Sequence, residues 1–119
     1  MTKRDAMLWI KKLNRHYGLK VHFRTGSAYG ERYQPCADCR TNSILIPPHR
    51  AFYNPRIMAH EYAHLIQNRE GLLNHHNPHD KTFTAIYNEC CLVLGIFALQ
   101  TGDLAAQVQE EFKVEKAIL

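Results

Sequence analysis

Apolar residues recur every three or four positions near the start of the chain, which is the spacing of one face of an α-helix. These positions are Ala6, Trp9, Ile10, Leu13 and Tyr17. The other faces of the same segment are basic and carry Lys3, Arg4, Lys11, Lys12 and Arg15. Gly18 follows directly, and glycine favours the end of a helix. The pattern predicts an amphipathic first helix that ends at Gly18.

Two short strands are predicted after this helix. Residues 21–24 read VHFR and residues 43–46 read SILI, and both runs have the length and residue types of strands. Residues 27–30 are typical of a turn, and Pro47 and Pro48 end the second strand.

Two further helices have clear start signals. Asn54 is a suitable N-cap and Pro55 a suitable first helical residue, so a helix should run from here to near Gly71. A loop is predicted at residues 72–79, after which Asp80 can cap the next helix. The apolar stripe of that helix consists of Phe83, Ile86, Tyr87, Cys90 and Leu94.

The end of the chain has one more helical pattern. Gly102 and Asp103 predict a break, and a last amphipathic helix follows, with apolar positions at Leu104, Ala105, Val108 and Phe112. Helices around a small, mostly antiparallel sheet define an α+β fold. With 119 residues and no repeat or linker, the sequence predicts a single domain over residues 1–119.

Composition favours a soluble protein without a membrane partner. Apolar residues make up 45% of the chain and charged residues 22%, as in ordinary globular domains. The longest apolar run, at residues 90–99, is too short to cross a bilayer. The N-terminus has no pattern of a secretory signal, so a cytoplasmic location is the expectation. The four cysteines are then expected to be free thiols or metal ligands.

Charge divides the chain into two unlike halves. Residues 1–56 carry eleven Lys and Arg against three acids, a balance of +8, whereas residues 57–119 carry four against eight, a balance of −4. The basic half predicts either a surface that attracts the phosphates of DNA or a solvated basic face.

Candidate chemistry lies in the second helix, in the sequence His60-Glu61-Tyr62-Ala63-His64. Residues four apart lie about 40° apart around a helix, so His60 and His64 project from one face and can bind one ion. Zinc suits imidazole ligands and leaves a position open for water. Glu61 lies about 100° from His60, beside the ion, where it can accept a proton from an activated water. The pattern predicts a zinc site with Glu61 as general base.

The spacing of residues alone does not identify the third zinc ligand. Glu70 stands where a metzincin would have histidine, which excludes that class. Glu89, preceded by Asn as in thermolysin-like enzymes, is one candidate, and His79 is another. His75 and His76 lie in the middle of the loop, where ordering a ligand costs more conformational entropy than it does for His79 at the loop's end.

The motif and the segment His79-Asp80-Lys81-Thr82-Phe83 together resemble the SprT-like metalloprotease domain, in which HExxH precedes a histidine, three residues and a phenylalanine. The related WLM proteases share this feature. The resemblance covers roughly residues 5–100. It implies that His60, His64 and His79 bind zinc, that Glu61 is the general base and that Phe83 is a packing residue. It also implies that residues 43–46 form the sheet edge along which a substrate lies.

The sequence therefore predicts a zinc-dependent endopeptidase that acts on proteins or peptides. The resemblance extends this to DNA-associated substrates, with the basic half as local support. Two alternatives stay open, namely a non-catalytic zinc-binding module for protein or nucleic acid and an ImmA-like peptidase that cleaves a repressor.

The remaining candidates are cysteines and tyrosines. Cys36 and Cys39 have the spacing of half a zinc knuckle, and they also fit a redox-sensitive pair or a plain hairpin turn. Cys90 and Cys91 would point about 100° apart on a helix, which disfavours a shared ion. An oxyanion can receive a hydrogen bond from a tyrosine, and three are candidates: Tyr53, Tyr62 and Tyr87.

Overall fold

The computed structural model describes residues 1–25 and 34–96, and these form an α+β arrangement of three helices and one sheet. The helices are α1 (Lys3–Tyr17), α2 (Pro55–Arg69) and α3 (Lys81–Val93). The strands are β1 (His22–Thr25), β2 (Cys36–Asp38) and β3 (Ser43–Ile46), and a short 3-10 helix spans Arg50–Phe52. The predicted turn at 27–30, the break at 102–103 and the helix from Leu104 to Phe112 lie outside the described residues.

Local signals set the ends of the helices as predicted. Gly18 ends α1 with a left-handed backbone (φ 67°), which glycine adopts without the strain of a Cβ. The Asn54 side chain accepts from the backbone N–H of Arg56, and Pro55 opens α2. The Asp80 side chain accepts from Phe83 N at 3.0 Å and so caps α3. Each helix start therefore has a side-chain cap, since Thr2 caps α1 in the same manner.

The sheet is mixed, which corrects the prediction that it is mostly antiparallel. Its strand order is β1-β3-β2, with β1 parallel and β2 antiparallel to β3. The prediction missed β2, because three residues are too few to show an alternating pattern. The chain passes first to the outer position of β2 and returns through a tight turn into the middle, which places β3 parallel to β1.

The central position of β3 overturns a second expectation. Residues 43–46 were expected at the edge of the sheet, but β3 pairs on both sides, and Ser43, Ile44 and Ile46 are buried. Among the described strands, the edges are β1 and β2. A strand with both neighbours in place has no free backbone groups for a peptide.

Helix α2 lies at the centre of the molecule, in contact with α1, α3, β2 and β3. Its buried residues include Met58, Ala59, Tyr62 and Ala63, which have no exposed surface. Asn14 of α1 links α2 to the residue that precedes β1. Its amide bonds to both the N–H and the C=O of Val21, and its Oδ1 accepts from Tyr62 Oη at 2.8 Å. No helix within residues 1–25 and 34–96 has the length and apolar character needed to span a membrane.

Candidate metal centre

Three histidines from two separate segments meet beside α2. His60 and His64 stand one turn apart on this helix, and His79 lies at the end of the loop, one residue before the cap of α3. The packing of α3 against α2 brings the loop end over the two helical histidines. Residues separated by up to nineteen positions in the chain therefore form one cluster.

The ring nitrogens of the cluster face one another. His79 Nε2 lies 3.1 Å from His64 Nε2 and 3.2 Å from His60 Nε2, and one ligand atom from each ring lies within 4.8 Å of the others. Zinc–nitrogen bonds of about 2.0–2.1 Å in tetrahedral geometry separate ligand nitrogens by about 3.3 Å. The three histidines thus lie close enough together to hold a metal ion.

Phe83 supports all three rings at once. Its ring centroid lies 4.9 Å from that of His60, 4.5 Å from that of His64 and 4.9 Å from that of His79. The contact with His64 is a stacked one, with 24° between the planes. Phe83 is buried and belongs to the first turn of α3, so it links the position of the cluster to the hydrophobic core.

Burial keeps the two helical histidines in the neutral form that binds metal. Burial, with smaller contributions from the nearby His64 and His79 rings, lowers the pKa of His60 to about 3. Burial also lowers the pKa of His64, although its hydrogen bond to Gln67 acts in the opposite direction. Neutral imidazole carries the lone pair that a metal requires.

Glu61 lies beside the cluster, and within residues 1–25 and 34–96 the one ion-pair candidate it has is His60. Its Oε1 is 3.9 Å from His60 Nε2, and only 8% of the residue is exposed. Burial raises the pKa of this carboxyl to about 8, so it holds a proton near neutral pH in the metal-free protein. A divalent cation nearby would favour the carboxylate and reverse that effect. The carboxyl therefore lies where a bound cation would change its charge.

The structure shows which candidate for a third ligand lies beside His60 and His64. Glu89 accepts a hydrogen bond from Tyr17 Oη at 2.8 Å, and it is not part of the histidine cluster. His75 and His76 are exposed in the loop and also lie outside the cluster, and Glu70 is the exposed cap that ends α2. His79 alone among these residues joins His60 and His64.

The tyrosines also differ in their surroundings. The Tyr62 hydroxyl is engaged by Asn14 on the α1 side of the helix, so it does not face the histidines. The Tyr87 ring lies 5.9 Å from that of His60 and is stacked on Phe83, which places it beside the cluster. Tyr53 lies partly buried before α2. Of the three predicted tyrosines, Tyr87 is thus the one with a ring contact to a histidine of the cluster.

The cysteines do not form a second metal cluster in the part of the chain that the structure describes. Cys36 lies in β2 and Cys39 in the turn toward β3, in agreement with the hairpin interpretation of this pair. Asp38 stabilises the turn, since its side chain accepts from the backbone N–H of Arg40 and of Thr41. Cys90 and Cys91 are buried in α3 as free thiols.

The five basic residues of the first helix, Lys3, Arg4, Lys11, Lys12 and Arg15, are all exposed. Ala6, Ile10 and Leu13 face the core from the opposite side of α1. We call these five residues the α1 basic face.

One residue beside the histidines was missed by sequence reasoning. Gln67 is fully buried and contacts His64, three residues earlier on the same helix. A polar residue three positions after a ligand on a helix lies near it, so the spacing was a usable signal.

Comparison of the chain with protein-family models, with curated proteins and with solved structures gives no match.

Proposed function

We propose that this chain is a minimal zincin-like domain that acts as a zinc-dependent, SprT-like endopeptidase, with His60, His64 and His79 as ligands and Glu61 as general base. The observation that carries the proposal is the convergence of three Nε2 atoms beside a buried glutamate, whose carboxyl lies 3.9 Å from His60 Nε2. A purely structural zinc site has four protein ligands and no use for a base, whereas a catalytic one has three ligands and an open position.

Each residue then has a defined task. Bound zinc supplies a Lewis acid that lowers the pKa of water to about 7 and polarises a carbonyl. The Glu61 carboxylate takes a proton from the attacking water and passes it to the leaving amine nitrogen. Phe83 and the neighbouring Tyr87 restrict water on the α3 side, because their stacked rings cover the histidines there.

Proteins or peptides are the proposed substrates. The resemblance to SprT-like domains extends this to DNA-associated proteins, and the exposed α1 basic face is the local feature that supports the extension.

The test compares wild type with Glu61→Gln, which keeps the shape of the side chain and removes the base. Both proteins should contain about one zinc per chain by elemental analysis. Hydrolysis of casein or of a peptide library should fall by about 10²- to 10⁴-fold in the variant, the contribution typical of general base catalysis.

Glu89→Gln is the matched control, since it makes the same change one helix away, at a side chain held by Tyr17. It should retain wild-type turnover. Wild-type turnover in Glu61→Gln would overturn the mechanism. Zinc binding without hydrolysis in wild type would favour the non-catalytic module instead.

A further inference from the structure

One buried side chain, that of Gln67, connects His64 to the residue that precedes His79. His64 Nδ1 and Gln67 Oε1 lie 3.1 Å apart, and Gln67 Nε2 donates to the carbonyl of Pro78 at 3.1 Å. Pro78 directly precedes His79 in the loop. The side chain has no exposed surface, so water does not compete for either bond. Gln67 thus contacts His64 and the loop end that carries His79.

The two hydrogen bonds together determine which His64 nitrogen carries the proton. A carbonyl oxygen only accepts, so the Gln67 amide must turn its NH₂ group toward Pro78. Its Oε1 then faces His64, and Nδ1 must carry the hydrogen that it accepts. Neutral His64 has one ring proton, so Nε2 keeps its lone pair, and this is the atom that lies 3.1 Å from His79 Nε2.

We propose that Gln67 is a positioning residue for the metal centre, which fixes the His64 tautomer and holds the loop end at His79. This inference rests on the proposed zinc site. Outer partners of ligating histidines typically raise metal affinity by about 10- to 100-fold. His60 has no such partner, because its buried Nδ1 finds none among residues 1–25 and 34–96. The orienting contribution therefore falls on His64, which Gln67 contacts directly, and on His79, whose backbone it holds through Pro78.

The first measurement uses the metal-free wild-type protein and needs no zinc. ¹⁵N NMR of the His64 ring should show a protonated Nδ1 and an unprotonated Nε2. A ring protonated mainly at Nε2 would overturn the assignment. Since this readout precedes metal binding, it separates the role of Gln67 from the proposed function.

The second measurement is zinc affinity by chelator competition in Gln67→Met, which keeps the length of the side chain and removes both hydrogen bonds. Affinity should fall about 10- to 100-fold, and the visible spectrum of the Co²⁺-loaded protein should change. Gln67→Glu retains an acceptor for His64 and should keep the Nδ1–H tautomer, which Gln67→Met should lose. If Gln67→Met does not fold, the test uses Gln67→Glu, with its Co²⁺ spectrum and its His64 tautomer as the measurements.

Tyr62→Phe is the matched control, because it removes one hydrogen bond from an equally buried side chain of α2. Its zinc affinity should equal that of wild type. Equal losses in Gln67→Met and Tyr62→Phe would reduce Gln67 to a general stabilising role and contradict the proposal. Wild type without zinc affinity would instead contradict the metal centre, leaving the tautomer to decide the role of Gln67.

Discussion

The two faces of α2 use their polar side chains in opposite ways. On the face toward α1, Tyr62 donates to Asn14, and Asn14 also bonds to both backbone groups of Val21. On the face toward α3, three ring nitrogens point at one another, and the Glu61 carboxyl is buried 3.9 Å from one of them. On the first face the polar groups form hydrogen bonds to one another. On the second face the lone pairs of the histidine rings and the Glu61 carboxyl lie around one point.

The difference separates a face whose polar groups stabilise the fold from one whose histidines could hold a metal ion. Burying polar groups that lack partners costs free energy, and such groups persist mainly where a function requires them. A cation at the centre of the histidines would accept their lone pairs and favour the ionised Glu61. The two faces should therefore respond differently when a residue is removed.

The largest effect is expected from His79→Ala. Structural zinc sites bind with about 10–16 kcal/mol shared among four ligands, so loss of one ligand should weaken zinc affinity by about a hundredfold or more. Glu89→Ala and the double variant His75→Ala/His76→Ala are the controls and should bind zinc like wild type. Chelator competition measures all of them, with circular dichroism to check folding. Wild-type affinity in His79→Ala together with a loss in one control would show that the third ligand is misassigned.

On the other face, Asn14→Ala should destabilise the fold without changing the metal centre. The variant removes three hydrogen bonds and leaves the Tyr62 hydroxyl and the Val21 amide without their partner. At about 1 kcal/mol for each bond, the free energy of unfolding should fall by about 2–4 kcal/mol. Urea denaturation measures this loss. Zinc affinity of the folded variant should stay at the wild-type value, and a parallel loss would show that the two faces are coupled.

The same contrast explains what the sequence could predict. The bounds of α1, α2 and α3 depend on residues such as Gly18, Asn54 and Asp80, which act within one turn of themselves. His60 and His64 were predictable as neighbours for the same reason, since one helix fixes their spacing. These local features need no knowledge of the rest of the fold.

Features that depend on distant partners were harder to predict. The short strand β2 is defined by its pairing with β3, and residues 36–38 show no alternation of apolar and polar residues that would predict a strand. The edge position expected for β3 was wrong because the position of a strand in a sheet depends on all the other strands. The contact of Gln67 with the Pro78 carbonyl depends on how the loop folds back onto α2. Such features follow from tertiary packing, which local patterns do not encode.

The smallest expected effect concerns the α1 basic face, which lies apart from both faces of α2. If it contacts phosphates, affinity for duplex DNA should fall steeply with salt, with a slope of about −0.9 in log–log form for each contact. Lys11→Glu/Arg15→Glu reverses two charges that lie about 40° apart on the helix and should reduce the slope by about 2. Lys20→Glu/Arg69→Glu makes the same change in net charge at exposed positions outside α1, so its slope should stay closer to that of wild type.

Fluorescence anisotropy with a labelled duplex gives both slopes. Binding whose affinity does not change with salt, or no binding at low salt, would show that this face is a solvated surface.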